Sequence, residues 1–159
     1  KLAIRPDNSG EKKDYRQVAL GLLARREHAA RELIIKLVGR GMPESEAEGL
    51  VNELARRGLQ SETRFVEEFV RSRIRRGAGP VKICVELRER GVESALIKAG
   101  LTGSGTNWAA NAAEARERKF GATVPGEFAN RARQARFLQN RGFTAEQIRK
   151  AMNFDFEDA

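Results

Sequence analysis

Four arginines within six residues form the densest polar cluster of this sequence: Arg71, Arg73, Arg75 and Arg76. On a helix, Arg71 and Arg75 lie one turn apart and share a face, while Arg73 and Arg76 form a second ridge. Guanidinium groups bind carboxylates and phosphates through paired hydrogen bonds. The cluster is therefore a candidate binding site for an acidic protein surface or a phosphate backbone. The alternative is a solvated helix face whose arginines pair with glutamates of the same chain.

Residues that could support catalysis or bind a metal are scarce. His28 is the only histidine and Cys84 the only cysteine, which excludes a zinc site of the usual Cys/His spacing. Gly77-Ala78-Gly79-Pro80 lacks the Lys-Ser/Thr of a phosphate-binding loop, so we interpret it as a turn between helices. Cys84 is expected to be a core residue rather than a reactive thiol. The sequence thus predicts no enzyme: no catalytic residues, no cofactor and no metal.

The composition narrows the class of protein. The 159 residues include 30 basic and 22 acidic side chains, for a net charge of +8, and aromatic residues make up only 6%. The basic residues are spread along the chain and interleaved with glutamates, unlike a basic nucleic-acid-binding tail. An apolar fraction of 40% excludes wholesale disorder. Without a membrane-length apolar run or a disulfide framework, we expect a cytoplasmic protein.

Apolar residues recur at the helical period along almost the whole chain, and the helix ends are marked. Glycine after arginine closes a helix in the left-handed conformation, and an apolar residue then packs back on the last turn. This Arg-Gly step occurs five times, at Arg40-Gly41, Arg57-Gly58, Arg76-Gly77, Arg90-Gly91 and Arg141-Gly142. Ser61 and Thr144 are predicted N-caps, the latter in a capping box with Gln147.

The motif Leu-x-x-Arg-Gly-apolar appears three times, beginning at Leu37, Leu87 and Leu138. Its spacing predicts an all-α, elongated and curved tandem array of three three-helix repeats. We place a flexible N-terminal segment at 1–13, the repeats at 14–59, 60–103 and 104–153, and a C-terminal tail at 154–159. Ala122 to Phe128 is the expected insertion of the third repeat, which Trp108 and Phe120 help to seat. The spacings Glu67–Arg71 and Glu86–Arg90 predict surface ion pairs.

Taken together, these residues resemble the bacterial RecX family of RecA regulators over roughly residues 14–153. The matching segments are Ala24–His28, Glu32–Gly41, Phe65–Arg73, Gly79-Pro80, Leu87–Gly91, Arg116–Gly121 and Arg136–Phe143. Two positions depart from the family pattern. Ala29 replaces a small hydroxyl residue, which weakens the cap of the second helix, and Ala78 replaces a basic residue between two glycines.

The resemblance implies a regulator that binds the RecA recombinase filament and inhibits its recombinase and ATPase activities, modulating DNA repair and recombination. Arg71, Arg73, Arg75 and Arg76 are then the candidate partner-binding residues. We expect a monomer with no membrane contact and at most a weak nucleic-acid contact. The alternative is a direct nucleic-acid-binding protein, since three-helix units resemble helix-turn-helix modules and the pI is about 10.2.

Overall fold

The computed structural model describes residues 14–152, and within that range the chain forms nine α-helices and no strand. The helices are α1 (Tyr15–Arg25), α2 (Ala30–Gly39), α3 (Glu44–Arg56), α4 (Glu62–Arg75), α5 (Pro80–Glu89), α6 (Ser94–Gly103), α7 (Trp108–Phe120), α8 (Phe128–Arg141) and α9 (Ala145–Ala151). The predicted all-α fold of three helix triplets is confirmed. The predicted N-terminal segment 1–13 and tail 154–159 lie outside the described residues. None of the nine helices is long and apolar enough to cross a membrane.

Two compact units divide the chain, 1–60 and 61–159. In the first unit, α1–α3 enclose a core of small and branched apolar residues that includes Ala19, Leu33, Val51 and Leu54. A salt bridge at its surface, from Arg16 Nη1 to Glu53 Oε1 at 3.0 Å, joins α1 to α3. Ala29 is the N-cap of α2 and forms no side-chain cap hydrogen bond, as its residue type predicts.

His28 is a buried polar residue of the first unit. Only 1% of its surface is exposed. Its Nδ1 donates to the Arg26 carbonyl at 3.0 Å, and its Nε2 accepts from the Lys36 ammonium at 2.9 Å, an arrangement that requires the neutral ring. Gln60 Nε2 donates to the His28 carbonyl at 3.1 Å and anchors the end of the unit. His28 therefore has a structural role in the neutral state.

Stability of the first unit is expected to fall as the pH drops below about 6.5, the ordinary value for His. Burial, together with the charges of Arg26 and Lys36, lowers the pKa of His28, although its hydrogen bond to the Arg26 carbonyl and the nearby Glu32 carboxylate oppose the shift. Because the folded pKa is below the unfolded one, the unfolded chain binds the extra proton first. The contribution of neutral His28 to the free energy of unfolding is therefore fully present above about pH 6.5 and is lost as the pH falls through the lowered pKa of His28.

Native-state hydrogen exchange of residues 14–60 between pH 7 and pH 5 measures this loss. The control is His28→Asn, which retains a donor near the Arg26 carbonyl but does not titrate in this range. The stability of the first unit in this variant should not change between pH 7 and pH 5. A wild-type unit that is equally stable at both pH values would contradict the prediction.

The second unit, with described residues 61–152, contains α4–α9 around two apolar clusters. The α4–α6 cluster includes Phe65, Val66, Ile83 and Ile97, all buried. The α7–α9 cluster is formed by Ala112, Leu138, Phe143, Ile148, Ala151 and Met152. Trp108 packs against this second cluster, and Phe120 forms an edge-to-face pair with Phe137 at 5.3 Å. Both aromatic residues therefore serve packing, as expected.

The five Arg-Gly steps end helices as predicted. Their glycines all have positive φ values, between 72° at Gly58 and 102° at Gly41. The amide of the residue after the glycine donates back across the last turn, for example from Met42 to the Leu37 carbonyl at 3.2 Å. The three repeat leucines, Leu37, Leu87 and Leu138, are each 0% exposed and accept this bond. Their predicted equivalence is confirmed, as are the N-cap Ser61 and the Thr144–Gln147 capping box.

A backbone junction holds α5 against the end of α8. The Gly79 amide donates to the Arg141 carbonyl at 2.7 Å, and the Val81 amide donates to the Gly142 carbonyl at 2.9 Å. The positive N-terminus of α5 thus meets the negative C-terminus of α8. A Cβ atom added at Gly79 would lie 2.3 Å from the carbonyl carbon of Gly142. This contact requires glycine and joins the second and third helix triplets into one unit.

The insertion of the third triplet occupies residues 121–127, between α7 and α8, and a buried arginine organises it. Arg116 is 2% exposed. Its guanidinium donates to the carbonyls of Gly121, Ala122 and Thr123 at 3.1–3.4 Å and to Gln134 Oε1 at 3.4 Å. One side chain thereby supplies hydrogen-bond donors to backbone carbonyls of a segment that is not helical.

Candidate functional site

Three of the four candidate arginines lie on α4 and the fourth, Arg76, is its C-cap, so this helix determines where each one points. Its start is fixed by Ser61, whose hydroxyl accepts from the Arg64 amide at 3.2 Å. Phe65, Val66, Phe69 and Val70 bury one face of the helix. The arginines of the last turns therefore leave the core on different sides. Arg71, Arg75 and Arg76 are exposed, whereas Arg73 is half-buried.

Arg71 and Arg75 lie together on one groove, as their spacing predicts. The groove lies between α4 and α6 and has a volume of about 580 Å³. Its lining includes the apolar side chains Val66, Val70, Ile74, Leu96 and Ala99 and the polar side chains Glu67, Arg71 and Arg75. Gly100 allows the two helices to approach closely, since a Cβ there would lie 2.3 Å from Val66 Cγ1.

Neither Arg71 nor Arg75 has a carboxylate within 4 Å among residues 14–152. The predicted Glu67–Arg71 pair is therefore not formed. The groove combines an apolar lining with two available guanidinium groups. This chemistry suits a partner that presents an apolar side chain beside a carboxylate.

Arg73 has a structural environment instead. Its Nε donates to Glu86 Oε2 at 2.6 Å, and its guanidinium lies 4.3 Å from the centre of the Phe69 ring. Arg90 lies 4.7 Å from the same ring and donates to the backbone carbonyl of Glu86. The predicted Glu86–Arg90 side-chain pair is thus wrong, because Arg73 on the neighbouring helix takes the Glu86 carboxylate. Arg73 holds α4 against α5.

Arg76 does not form a ridge with Arg73 but joins a basic pocket of about 230 Å³. The basic residues of this pocket come from three helix ends: Arg76, Arg118, Lys119 and Arg141. Ala115 and Phe137 supply apolar lining. The Arg141 guanidinium lies 5.1 Å from the centre of the Phe137 ring and donates to the Arg76 carbonyl at 3.3 Å.

The basic pocket could not be found by sequence reasoning. Each of its cations stands in or beside the last turn of a helix, where it complements the helix dipole. This role within its own helix is enough to explain each cation, so the sequence gives no sign that the four lie together. Only the packing of α7 and α8 beside the end of α4 brings them to one place.

The side chains of the described part of the chain do not indicate a metal site or a reactive thiol. Residues 14–152 contain no group of His, Cys, Asp or Glu side chains arranged to hold a metal ion. Cys84 is half-buried on α5 and close to the buried Ile83 and Leu87 in sequence. The candidate site is built from arginines and apolar side chains.

Models of the RecX family match all three helix triplets of the chain. The first three-helix domain of RecX matches residues 16–54, the second matches 61–101 and the third matches 109–152. The order of the three domains along the chain is the order of the three repeated leucines. The resemblance noted in the sequence is thereby confirmed.

Relatives of similar length support the same family. A regulatory protein RecX of Halorhodospira halophila is 50% identical over 143 residues, which are 90% of this chain and 89% of the relative. A regulatory protein RecX of Stenotrophomonas maltophilia is 39% identical over 142 residues, 89% of this chain and 87% of the relative. The fold is similar to the crystal structure of RecX from Lactobacillus salivarius, with a TM-score of 0.74 at 18% identity over 88% of this chain and 93% of that one. With half of its residues shared along nearly its whole length with a named relative, this chain belongs to the RecX family of regulatory proteins.

Proposed function

We propose that this protein binds the RecA filament and inhibits its recombinase and ATPase activities, with Arg71 and Arg75 at the contact. Membership of the RecX family supports the regulatory role. The observation that carries the contact is the groove between α4 and α6, where two exposed arginines without carboxylate partners among residues 14–152 flank an apolar lining. In this proposal Arg73 orients the helix, and Arg76 extends the basic surface toward the basic pocket.

Charge and apolar contact contribute differently to such an interface. Rim arginines steer an acidic partner and set its register, and they lose part of this effect when salt screens them. The apolar lining supplies affinity once water is expelled. An acidic surface with a protruding apolar side chain therefore fits this groove better than a phosphate backbone does. The protein acts through binding, as a monomer without a cofactor.

Replacing Arg71 and Arg75 together by Glu should raise the concentration that half-inhibits RecA by about tenfold or more, since about 1.4 kcal/mol corresponds to a tenfold change. Attraction at the groove becomes repulsion, while both side chains are exposed and the fold is retained. The measurement is DNA-stimulated ATP hydrolysis by RecA, titrated with each protein at low and moderate salt.

The matched control is Arg149→Glu with Lys150→Glu, which makes the same charge change at two exposed positions of α9. This control should inhibit RecA nearly as well as the unmodified protein. If the Arg71/Arg75 variant folds and inhibits equally well, the groove is not the contact. If no variant or wild-type protein affects RecA, the proposed function itself fails.

A direct nucleic-acid interaction is the second candidate, and the basic pocket is the observation that favours it. A titration with DNA alone across a salt series separates the two functions. Strong binding with a steep dependence on salt would favour the nucleic-acid function, because each neutralised phosphate releases a counterion. Weak binding at moderate salt would leave the RecA contact as the principal one.

A further inference from the structure

We propose that the basic pocket is the docking site for the chain's own C-terminal segment, Phe154 to Asp158. Two features of this segment match the pocket: it contains two phenylalanines and three carboxylates, in the order Phe154-Asp155-Phe156-Glu157-Asp158. The proposal goes beyond the RecA interaction and does not depend on it.

Charge complementarity is the first argument. The pocket brings together Arg76, Arg118, Lys119 and Arg141, four cations against the three acidic side chains of the segment. Arg118 also pairs with Glu114 on the preceding turn of α7. Arg76 and Lys119 are exposed and have no carboxylate within 4 Å among residues 14–152. At least two cations are therefore available to the segment.

The apolar lining is the second argument. Ala115 and Phe137 form part of the wall, and the pocket of about 230 Å³ can receive one aromatic ring. Phe137 contacts Phe120 edge to face, and the Arg141 guanidinium lies over its ring, so the wall already combines aromatic and cationic groups that suit a phenyl group beside a carboxylate. The segment alternates phenylalanines with acidic residues, so its composition supplies a phenyl group for the apolar wall and carboxylates for the surrounding cations.

Proximity is the third argument. The described chain ends at Met152, which is 1% exposed and belongs to the α7–α9 cluster. Ala115 and Phe137 pack against that same cluster. The segment therefore follows closely after a residue that belongs to the same cluster as two residues of the pocket wall. Tethering also gives the segment a high effective concentration, so weak individual contacts suffice.

A spin label on the tail tests this docking in the full chain. The label is attached at Ala159→Cys in a Cys84→Ser background, and amide signals are followed by NMR. We expect strong broadening at Ala115, Lys119 and Phe137, which weakens as salt is raised. In Arg76→Gln with Lys119→Gln, the broadening at the pocket should fall to the level of amides remote from it.

The control Arg149→Gln with Lys150→Gln removes two positive charges from α9, closer in sequence to the tail but outside the pocket. It should leave the broadening at Ala115 and Phe137 in place. Equal loss in both variants would overturn the proposal in favour of diffuse attraction. Broadening that appears only between labelled and unlabelled molecules would assign the pocket to a second copy. Loss of DNA binding in the pocket variant, without any change in the tail, would assign it to nucleic acid.

Discussion

Replacing Arg116 by Ala is expected to lower the free energy of unfolding of the second unit by about 3–5 kcal/mol. The side chain is 2% exposed, and its guanidinium supplies the donors for the carbonyls of residues 121–123 and for Gln134. Truncation leaves those acceptors without a donor and opens a cavity beneath the insertion. Glu117 cannot replace the lost donors, because an ionised carboxylate only accepts hydrogen bonds.

Urea unfolding followed by Trp108 fluorescence measures this loss. Trp108 is the only tryptophan and packs against the α7–α9 cluster, so its emission reports on the affected region. Arg118→Ala is the matched control on the same helix. Its salt bridge to Glu114 is exposed and of the i,i+4 type, so the cost should stay below about 0.5 kcal/mol.

Arg116→Lys separates charge from geometry. A lysine keeps the charge but cannot present a planar fork to several carbonyls, so we expect only partial recovery. If Arg116→Ala proved as stable as Arg118→Ala, the buried guanidinium would not stabilise the insertion.

Replacing Gly79 by Ala should cost about 2–5 kcal/mol, from overpacking and from the loss of junction hydrogen bonds. The added Cβ would lie 2.3 Å from the Gly142 carbonyl carbon and 2.5 Å from the Phe143 nitrogen, and neither backbone atom can rotate away. The backbone of Gly79 itself suits alanine, with φ of −88° and ψ of 169°. The cost therefore comes from the contact and not from local strain.

The control for this prediction is Gly105→Ala in the same unit. Gly105 has φ of +61° and open space around its Cβ direction, so it tests strain without a contact. A cost of about 1–2 kcal/mol is expected there. Gly142→Ala combines both effects, since φ is +96° and the Cβ would lie 2.4 Å from Lys82 Cβ. We expect Gly142→Ala to be the most destabilising of the three, and a Gly79→Ala variant as stable as wild type would show that the α5–α8 contact yields easily.

Helix ends were predictable because their causes are local. A glycine with positive φ, an arginine beside the helix terminus and an apolar residue after it act within six residues, so the five Arg-Gly steps are recognisable without any tertiary contact. The same holds for Ser61 and for the Thr144–Gln147 box. The three repeated leucines extend this local pattern along the chain, which is why the all-α class and the family resemblance were both within reach of sequence analysis.

Side-chain pairing was less predictable because partners on other helices compete with those one turn away. Glu86 illustrates this: its i,i+4 neighbour is Arg90, yet its carboxylate binds Arg73, which also lies over Phe69. A partly buried contact between helices excludes more water than an exposed pair on one helix, so it is the stronger of the two.

The sequence alone determined that this protein is helical, repeated, basic and poor in catalytic side chains, since periodicity, capping and composition are properties of short segments. The tertiary structure decided what the arginine cluster at the end of α4 does. It placed Arg71 and Arg75 on the apolar groove, gave Arg73 to Glu86, and brought Arg76 to Arg118, Lys119 and Arg141. The physical reason is that a side chain's partners depend on which helices pack beside it, and that packing depends on contacts between residues such as Gly79 and Gly142, far apart in the chain.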